Sequence, residues 1–190
     1  MDTKAALRAE IRRRRRERTG PEREQAARRL AAVVLGRPEV RAARRVACYL
    51  SAPDEPGTDP LREALRSAGV EVLLPVVAGG RLDWARDDGV TAPGAFGLLH
   101  PTAPPLGDAA LESCDVLLVP ALAVDGAGAR LGQGAGYYDR ALAASPPRGP
   151  VVALVHDDEL LPAGAVPVEP HDRRVDAAAT PSGWVDLPGR

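Results

Sequence analysis

Glycines at positions 126, 128, 132, 134 and 136 fall within one short segment, GAGARLGQGAG, followed directly by YYDR. Glycine tolerates positive φ and lets a ligand approach the main chain, so such a segment can turn several backbone N–H groups toward one point. A helix opening near Tyr137 would add the positive end of its dipole. The chemistry this suits is the binding of phosphate. Arg130 and Arg140 flank the segment with permanent positive charge, and Asp139 stands in the first turn of the helix. Beside phosphates an aspartate can hold Mg2+, which takes one or two carboxylates together with water and phosphate oxygens. A first-turn carboxylate is also favoured by the helix dipole with no metal present. Glycine-rich turns serve equally as plain connectors, so spacing alone leaves both readings open.

The elements that must hold this loop alternate between helix and strand. DVLLVPALAV (115–124) is the longest buried-strand candidate and feeds the loop, a helix follows from Tyr137, and VVALVH (151–156) returns as a core strand. Upstream, a first helix is expected from Thr3 to about Arg18. Thr19-Gly20-Pro21-Glu22 then reads as a capping box with an early proline, starting a second helix that runs to Leu35 and stops at Gly36. RVACYL (45–50), a helix over Asp59–Ala68 capped by Thr58, and EVLLPVV (71–77) form a strand–helix–strand unit, which implies parallel pairing. Residues 81–86 suit an edge strand. The Pro- and Gly-rich stretch 91–106 reads as a pocket-lining loop. The expected fold is therefore α/β, a three-layer-like sandwich with a mainly parallel sheet in one domain over 1–190, with ligands at the carboxyl ends of the strands.

Composition narrows the function classes. The chain has 190 residues, 45% of them hydrophobic and 27% charged, which is globular usage. Its net charge of -1 offers no global field for nucleic acid or an anionic membrane. The run Arg12–Arg16 is a local exception, but helix formers surround it and it reads as a solvated helix face. No apolar stretch approaches the length of a membrane span. Cys48 and Cys114 lack metal-ligand spacing and read as buried thiols of a reducing compartment, so a cytoplasmic protein is expected. His100, His156 and His171 are not placed beside any nucleophile and read as structural or surface groups.

Several ordered segments together resemble one family. Lys4-Ala-Ala-Leu-Arg8, YLSAPDEPGT, the strand and loop VPALAVDGAGARLGQGAGYYDR, and PHDRRVDAAAT are similar to the motifs of the 5-formyltetrahydrofolate cyclo-ligases, in the same order and across nearly the whole chain. The resemblance implies a fold like that of ribose-phosphate isomerases and CoA transferases. It also implies an ATP-dependent cyclisation of 5-formyltetrahydrofolate to 5,10-methenyltetrahydrofolate, releasing ADP and phosphate, with ATP as co-substrate and Mg2+ as cofactor. Carried over by position, ATP would be held by Lys4, Arg8, Arg130, Leu131, Gly132, Gln133, Gly134, Ala135, Gly136, Tyr137, Tyr138 and Arg140. The folate would be held by Leu50 and Glu55 together with Gln133, Gly134, Ala135, Gly136 and Tyr137, and Mg2+ by Asp139 and Asp176. Lys4 is the only lysine of the chain. Small-molecule partners and a monomer are expected, with no nucleic acid and no membrane.

The chain departs from that pattern in places. Gln133 and Ala135 stand where many members carry Arg and Lys, leaving Arg130, Arg173 or Arg174 to supply charge; His100 replaces a common acid. Val76 replaces an aromatic, with Phe96 and Trp84 as candidates to stack on a pterin. Two alternatives remain: a repurposed paralogue that binds nucleotide or folate without turnover, and a sugar-phosphate isomerase on the same fold.

Overall fold

The structure, a computed structural model, describes residues 3–94, 99–169 and 172–188. Helix α1 spans Thr3–Glu17 and α2 spans Gly20–Leu35. The junction between them is the expected capping box: the Thr19 hydroxyl accepts from the Glu22 N–H while the Glu22 carboxylate accepts from the Thr19 N–H at 2.7 Å. After the short α3 (Pro38–Arg41), strand β1 (Arg45–Ala47), helix α4 (Asp59–Ser67) and β2 (Glu71–Ala78) form the right-length crossover, and β1 pairs with β2 in parallel. Thr58 precedes α4 but does not cap it. Its hydroxyl donates to the Tyr49 carbonyl at 2.7 Å, because the buried end of β1 needs that partner more than a helix start near solvent does.

Next come β3 (Arg81–Arg86), a small hairpin of β4 (Thr91–Pro93) and β5 (Leu99–Pro101), and a 3-10 turn over Asp108–Ser113. The expected strand 115–124 is two strands. β6 (Val116–Pro120) lies in the main sheet, the chain bends through Ala121 and Leu122, and β7 (Ala123–Asp125) joins a second sheet. β8 (Arg130–Leu131) lies inside the glycine segment; α5 (Tyr137–Ala144), β9 (Val151–Leu154) and β10 (Leu160–Leu161) follow. β11 (Ala177–Thr180) and β12 (Gly183–Asp186) close the chain as a hairpin.

Seven strands form the main sheet in the order β12-β11-β9-β6-β1-β2-β3. Its five central strands are parallel, and each edge strand is antiparallel to its neighbour. Alternate residues point to opposite faces. Val46, Val72, Leu118, Val152 and Ala179 meet Leu30 and Val34 of α2 and Leu61 and Leu65 of α4 on one face. Ala47, Leu73, Leu117, Val119 and Ala153 meet Leu142 of α5 and Leu111 on the other. Helices thus cover both faces of a sheet whose parallel strands are apolar on both sides, which is why those strands read as continuous hydrophobic runs. Trp84 is fully buried in the second of these clusters, so it is core and is not available to stack on a ligand; Phe96 lies outside the described residues.

Helix α1 packs elsewhere, on the three-stranded sheet β10-β7-β8, where Ile11 meets Leu122, Leu131 and Val166. Here the arginine run departs from a uniformly solvated face. Arg15 is 1% exposed, and its Nε and Nη2 donate to the two carboxylate oxygens of Glu159 at 2.7 and 2.8 Å while Nη2 also reaches the Ala121 carbonyl at 2.6 Å. A helix turning about 100° per residue sends consecutive arginines in different directions, so one of them must face the core side of the bundle. Removing one partner of such a pair strands a buried charge and costs about 3–5 kcal/mol. Arg15→Ala is therefore expected to lower the melting temperature sharply and Arg13→Ala, on the exposed face, hardly at all; equal melting temperatures in thermal unfolding would contradict this assignment.

Candidate functional site

A cavity of about 690 Å3 opens at the carboxyl ends of the parallel strands. Tyr49 and Leu50 follow β1 into its wall, Pro75, Val76 and Val77 extend from β2, and Pro120 ends β6. Leu82 of β3 and Gly94, Leu99 and His100 of the small hairpin add a further wall, so part of the stretch 91–106 does line the pocket. The remaining wall is the glycine segment and the start of α5: Arg130, Gly132, Gln133, Ala135, Gly136, Tyr137, Tyr138 and Asp139. Most of these side chains are apolar. The site is a hydrophobic slot with one polar end, the usual form of a small-molecule pocket.

Buried Asp125 shapes the polar end. One of its oxygens accepts from the N–H groups of Ala127 and Ala129 at 3.0 Å, and the other accepts from Gly164 and Val166 at 2.9 and 3.2 Å. This fixes the first turn of the loop and ties it to the segment after β10. Past β8 the loop needs glycine: Gly134 has φ +109 and Gly136, the N-cap of α5, has φ +66, regions that side chains rarely adopt. Among the described residues the N–H groups of 133 to 136 have no backbone acceptor, and Gln133, Gly134 and Ala135 are exposed. Unused donors at a helix start leave the loop able to cradle an anion.

Two arginines of α1 hold this loop from behind. Arg8 Nε donates to the Gly132 carbonyl at 3.0 Å, and a Cβ at Gly134 would stand 3.7 Å from the Arg8 guanidinium. Arg12 donates to the Gln133 side-chain oxygen at 2.8 and 3.2 Å and to its carbonyl at 3.1 Å. On the other side, Gln133 Nε2 reaches the Glu55 carboxylate at 3.4 Å, and the second Glu55 oxygen accepts from the Ala52 N–H at 3.0 Å. Burial pushes the Glu55 carboxyl above its ordinary value against the opposing pull of the Ala52 N–H, Arg15 and Gln133. Arg130, almost fully buried, donates to Asp139 at 2.6 Å and lies 5.7 Å from the Tyr138 ring centroid.

Of the residues expected at a nucleotide site, Arg8, Arg130, Gly132 to Gly136, Tyr137 and Tyr138 come together around the loop, while Leu50, Glu55, Gln133, Ala135, Gly136 and Tyr137 share the cavity wall. Leu131 does not join them: it is buried under α1. Arg140 lies against the end of the loop, where a Cβ at Gly136 would stand 2.9 Å from its guanidinium; it donates to the Gly80 carbonyl at 3.3 Å and rests 5.1 Å from the Tyr137 ring centroid. Lys4 is held at 2.9 and 2.8 Å from the carboxylates of Glu169 and Asp172, which keep it protonated beyond its ordinary range in spite of burial. Arg174 meets the Ala127 carbonyl at the start of the loop. Asp176 is not among the cavity-lining residues, which include Asp139. The Asp176 carboxylate accepts from the Val151 N–H at 2.8 Å, at the amino ends of β9 and β11 and so at the opposite edge of the sheet from the cavity. Arg12 and Asp125 were not anticipated; the only sequence signal for Arg12 is its place four residues after Arg8. His156 is buried with no hydrogen-bond partner on Nε2 among the described residues, and burial lowers it to about 4, which fits a structural group. Among the described residues no group of three or more His, Cys, Asp or Glu could hold a metal, and no helix is long and apolar enough to cross a membrane.

Residues 1–181 match the 5-formyltetrahydrofolate cyclo-ligase family. The chain is similar to the 5-formyltetrahydrofolate cyclo-ligase of Mycolicibacterium smegmatis, with 41% identity over 145 residues covering 73% of this chain and 74% of that protein. It is 33% identical over 178 residues to the Escherichia coli K12 enzyme of the same name, covering 90% and 97% of the two chains. Among solved structures, the Aquifex aeolicus 5,10-methenyltetrahydrofolate synthetase superposes with a TM-score of 0.83 at 27% identity, covering 98% of this chain and 94% of that one. The Mycoplasma pneumoniae 5,10-methenyltetrahydrofolate synthetase, 19% identical with a TM-score of 0.73 over 95% of this chain and 99% of that one, shares the fold.

The raised Glu55 carboxyl makes a prediction about stability alone. A carboxyl that titrates higher in the folded than in the unfolded chain favours folding below its ordinary value, and that contribution is lost as pH rises through the folded value. Glu55→Gln carries no such loss. The melting temperature of Glu55→Gln relative to the unsubstituted protein should rise between pH 4.5 and pH 7.5, and a constant or falling difference in thermal unfolding would show that the buried carboxyl is not the cause.

Proposed function

We infer the chemistry of the site from one premise: the chain belongs to the 5-formyltetrahydrofolate cyclo-ligase family, whose match runs over residues 1–181. It is an ATP-using ligase of folate one-carbon metabolism, converting 5-formyltetrahydrofolate to 5,10-methenyltetrahydrofolate with release of ADP and phosphate. The observation that carries the placement of this reaction is the union of a backbone cradle and an apolar slot in a single cavity. A formamide oxygen is a poor leaving group, and transfer of the ATP γ-phosphoryl group to it makes phosphate the leaving group. N10 then attacks the formyl carbon, the carbon–oxygen bond breaks with departure of phosphate, and N10 gives up its proton. Such a transfer asks for alignment and charge neutralisation more than for a protein nucleophile.

In this proposal the N–H groups of residues 133 to 136 and the start of α5 receive the phosphates, with Arg8 behind them. The pteridine lies in the slot between the carboxyl ends of β1 and β2 and the rings of Tyr137 and Tyr138, and Glu55 accepts hydrogen bonds from its N–H donors. Asp139 fits a magnesium ion, since it lines the cavity and Arg130 engages only one of its oxygens. Bound there, the ion would neutralise phosphate charge. Asp176, fastened to Val151, does not fit that role. Lys4 would reach a nucleotide only by leaving Glu169 and Asp172. We further propose a cytosolic monomer on an architecture like that of the ribose-phosphate isomerases and CoA transferases. The isomerase reading needs no ATP and is not favoured by the family match.

Incubating the protein with 5-formyltetrahydrofolate and Mg2+, with and without ATP, is expected to give the methenyl chromophore only when ATP is present; no ATP-dependent product at high enzyme would overturn the reading. Asp139→Asn is expected to keep the fold by circular dichroism and lose about a hundredfold in kcat. Unchanged turnover in that variant would remove Asp139 from the site.

A further inference from the structure

The cations of helix α1 are of three kinds, the simplest being Arg16, which is exposed with no carboxylate at ion-pair distance among the described residues. Lys4, Arg13, Arg14 and Arg15 each stand at ion-pair distance from a carboxylate: Asp172 at 2.8 Å, Glu10 at 2.8 Å, Asp158 at 3.1 Å and Glu159 at 2.7 Å. Arg8 and Arg12 have no such carboxylate among the described residues, and both rest on the glycine loop. The loop itself has no cation from Leu131 to Asp139; Arg130 at its start is committed to Asp139, and Arg140, whose guanidinium lies against Gly136 at its end, donates to the Gly80 carbonyl. A backbone cradle beside two uncompensated guanidinium groups would draw a polyanion far more strongly than the cradle alone.

We propose that Arg12 is a further phosphate-binding residue of the nucleotide subsite, supplying from α1 the charge that the loop does not carry. The inference rests on the reading of this loop as the seat of the ATP phosphates. Arg12 lies four residues after Arg8, so the two guanidinium groups project from one helix face toward the same loop. Its Nε and Nη2 donate to Gln133 and fix the plane of the guanidinium; Nη1 has no acceptor among the described residues and remains available to a phosphate oxygen. Gln133 is thereby the platform that orients Arg12 while itself touching Glu55 across the cavity.

Arg12→Ala, Arg12→Lys and the control Arg13→Ala, whose side chain is paired with Glu10 and Glu17 on the exposed face, test the proposal. Steady-state kinetics should show KM for ATP raised about tenfold or more in Arg12→Ala, with kcat and KM for 5-formyltetrahydrofolate within about twofold of the unsubstituted enzyme. Arg12→Lys should recover most of the ATP affinity, and Arg13→Ala should match the unsubstituted enzyme. An ATP KM within about twofold in Arg12→Ala, a lysine variant as weak as the alanine one, or an equal rise in both KM values would overturn it, since each points to a loop clamp and not to a phosphate ligand. Failure of the unsubstituted protein to form product would count against the reaction alone. In that case inorganic tripolyphosphate decides by thermal shift: stabilisation of the unsubstituted protein that is largely lost in Arg12→Ala supports the proposal, and equal shifts in both overturn it.

Discussion

The contact on which the site depends is the buried pair of Arg15 and Glu159. Both side chains are 1% exposed, and a charge so placed is tolerable only when every strong donor finds an acceptor. Glu159 receives two donors of the Arg15 fork and the Ala121 carbonyl receives a third bond, while the Glu159 carboxylate also accepts from the His156 N–H at 2.8 Å. Glu159 follows β9, a central strand of the main sheet, and Ala121 lies at the bend between β6 and β7. The pair therefore pins α1 to the region where the two sheets meet. Geometry of this kind fixes a helix in rotation as well as position.

That rotation decides what the rest of α1 can do. Residues 4, 8, 11, 12 and 15 share one face of a helix with 3.6 residues per turn. Ile11 and Arg15 fill its centre, Lys4 meets the segment after β10, and Arg8 and Arg12 meet the loop. A rotation by one residue, about 100°, would bury Arg14 or Arg16 and carry Arg8 and Arg12 off the loop. The sequence run of five arginines thus contains one structural residue, one that supports the loop together with Arg8, and three that face water or surface carboxylates. Its members are alike in composition and unlike in role.

Local rules made much of the frame readable and little of this. The capping box at Thr19 and Glu22, the crossover from β1 to β2 and the glycine-driven turn before α5 each depend on residues a few positions apart, where propensity and stereochemistry decide. The resemblance to a family groups Arg8, Glu55 and the loop; in the structure Glu55 and the loop line the cavity, and Arg8 holds the Gly132 carbonyl of that loop. Arg15 and Arg12 find their partners 144 and 121 residues away, beyond anything a local pattern encodes. The break at Ala121 was equally hidden: 115–124 is apolar throughout because both sheets need apolar strands, and periodicity does not reveal that a chain passes from one sheet to another. Trp84, a candidate with Phe96 to stack on a ligand, is instead buried, because a core built largely of Ala, Val and Leu has the most use for a large indole inside.

The two aspartates expected to share a metal show how topology corrects a motif. Asp139 follows the loop at the start of α5, on the carboxyl side of the parallel strands. Asp176 immediately precedes β11, which runs parallel to β9, so it sits at the amino ends of those strands. Asp176 has a neighbour in kind: Asp115, just before β6, accepts from the N–H groups of Arg44 and Arg45 at 2.8 and 3.0 Å, as Asp176 accepts from Val151 at 2.8 Å. Both carboxylates satisfy N–H groups where strands begin, groups that would otherwise lack acceptors. An aspartate ahead of a parallel strand fastens the sheet, and one behind the loop at its far end faces the cavity.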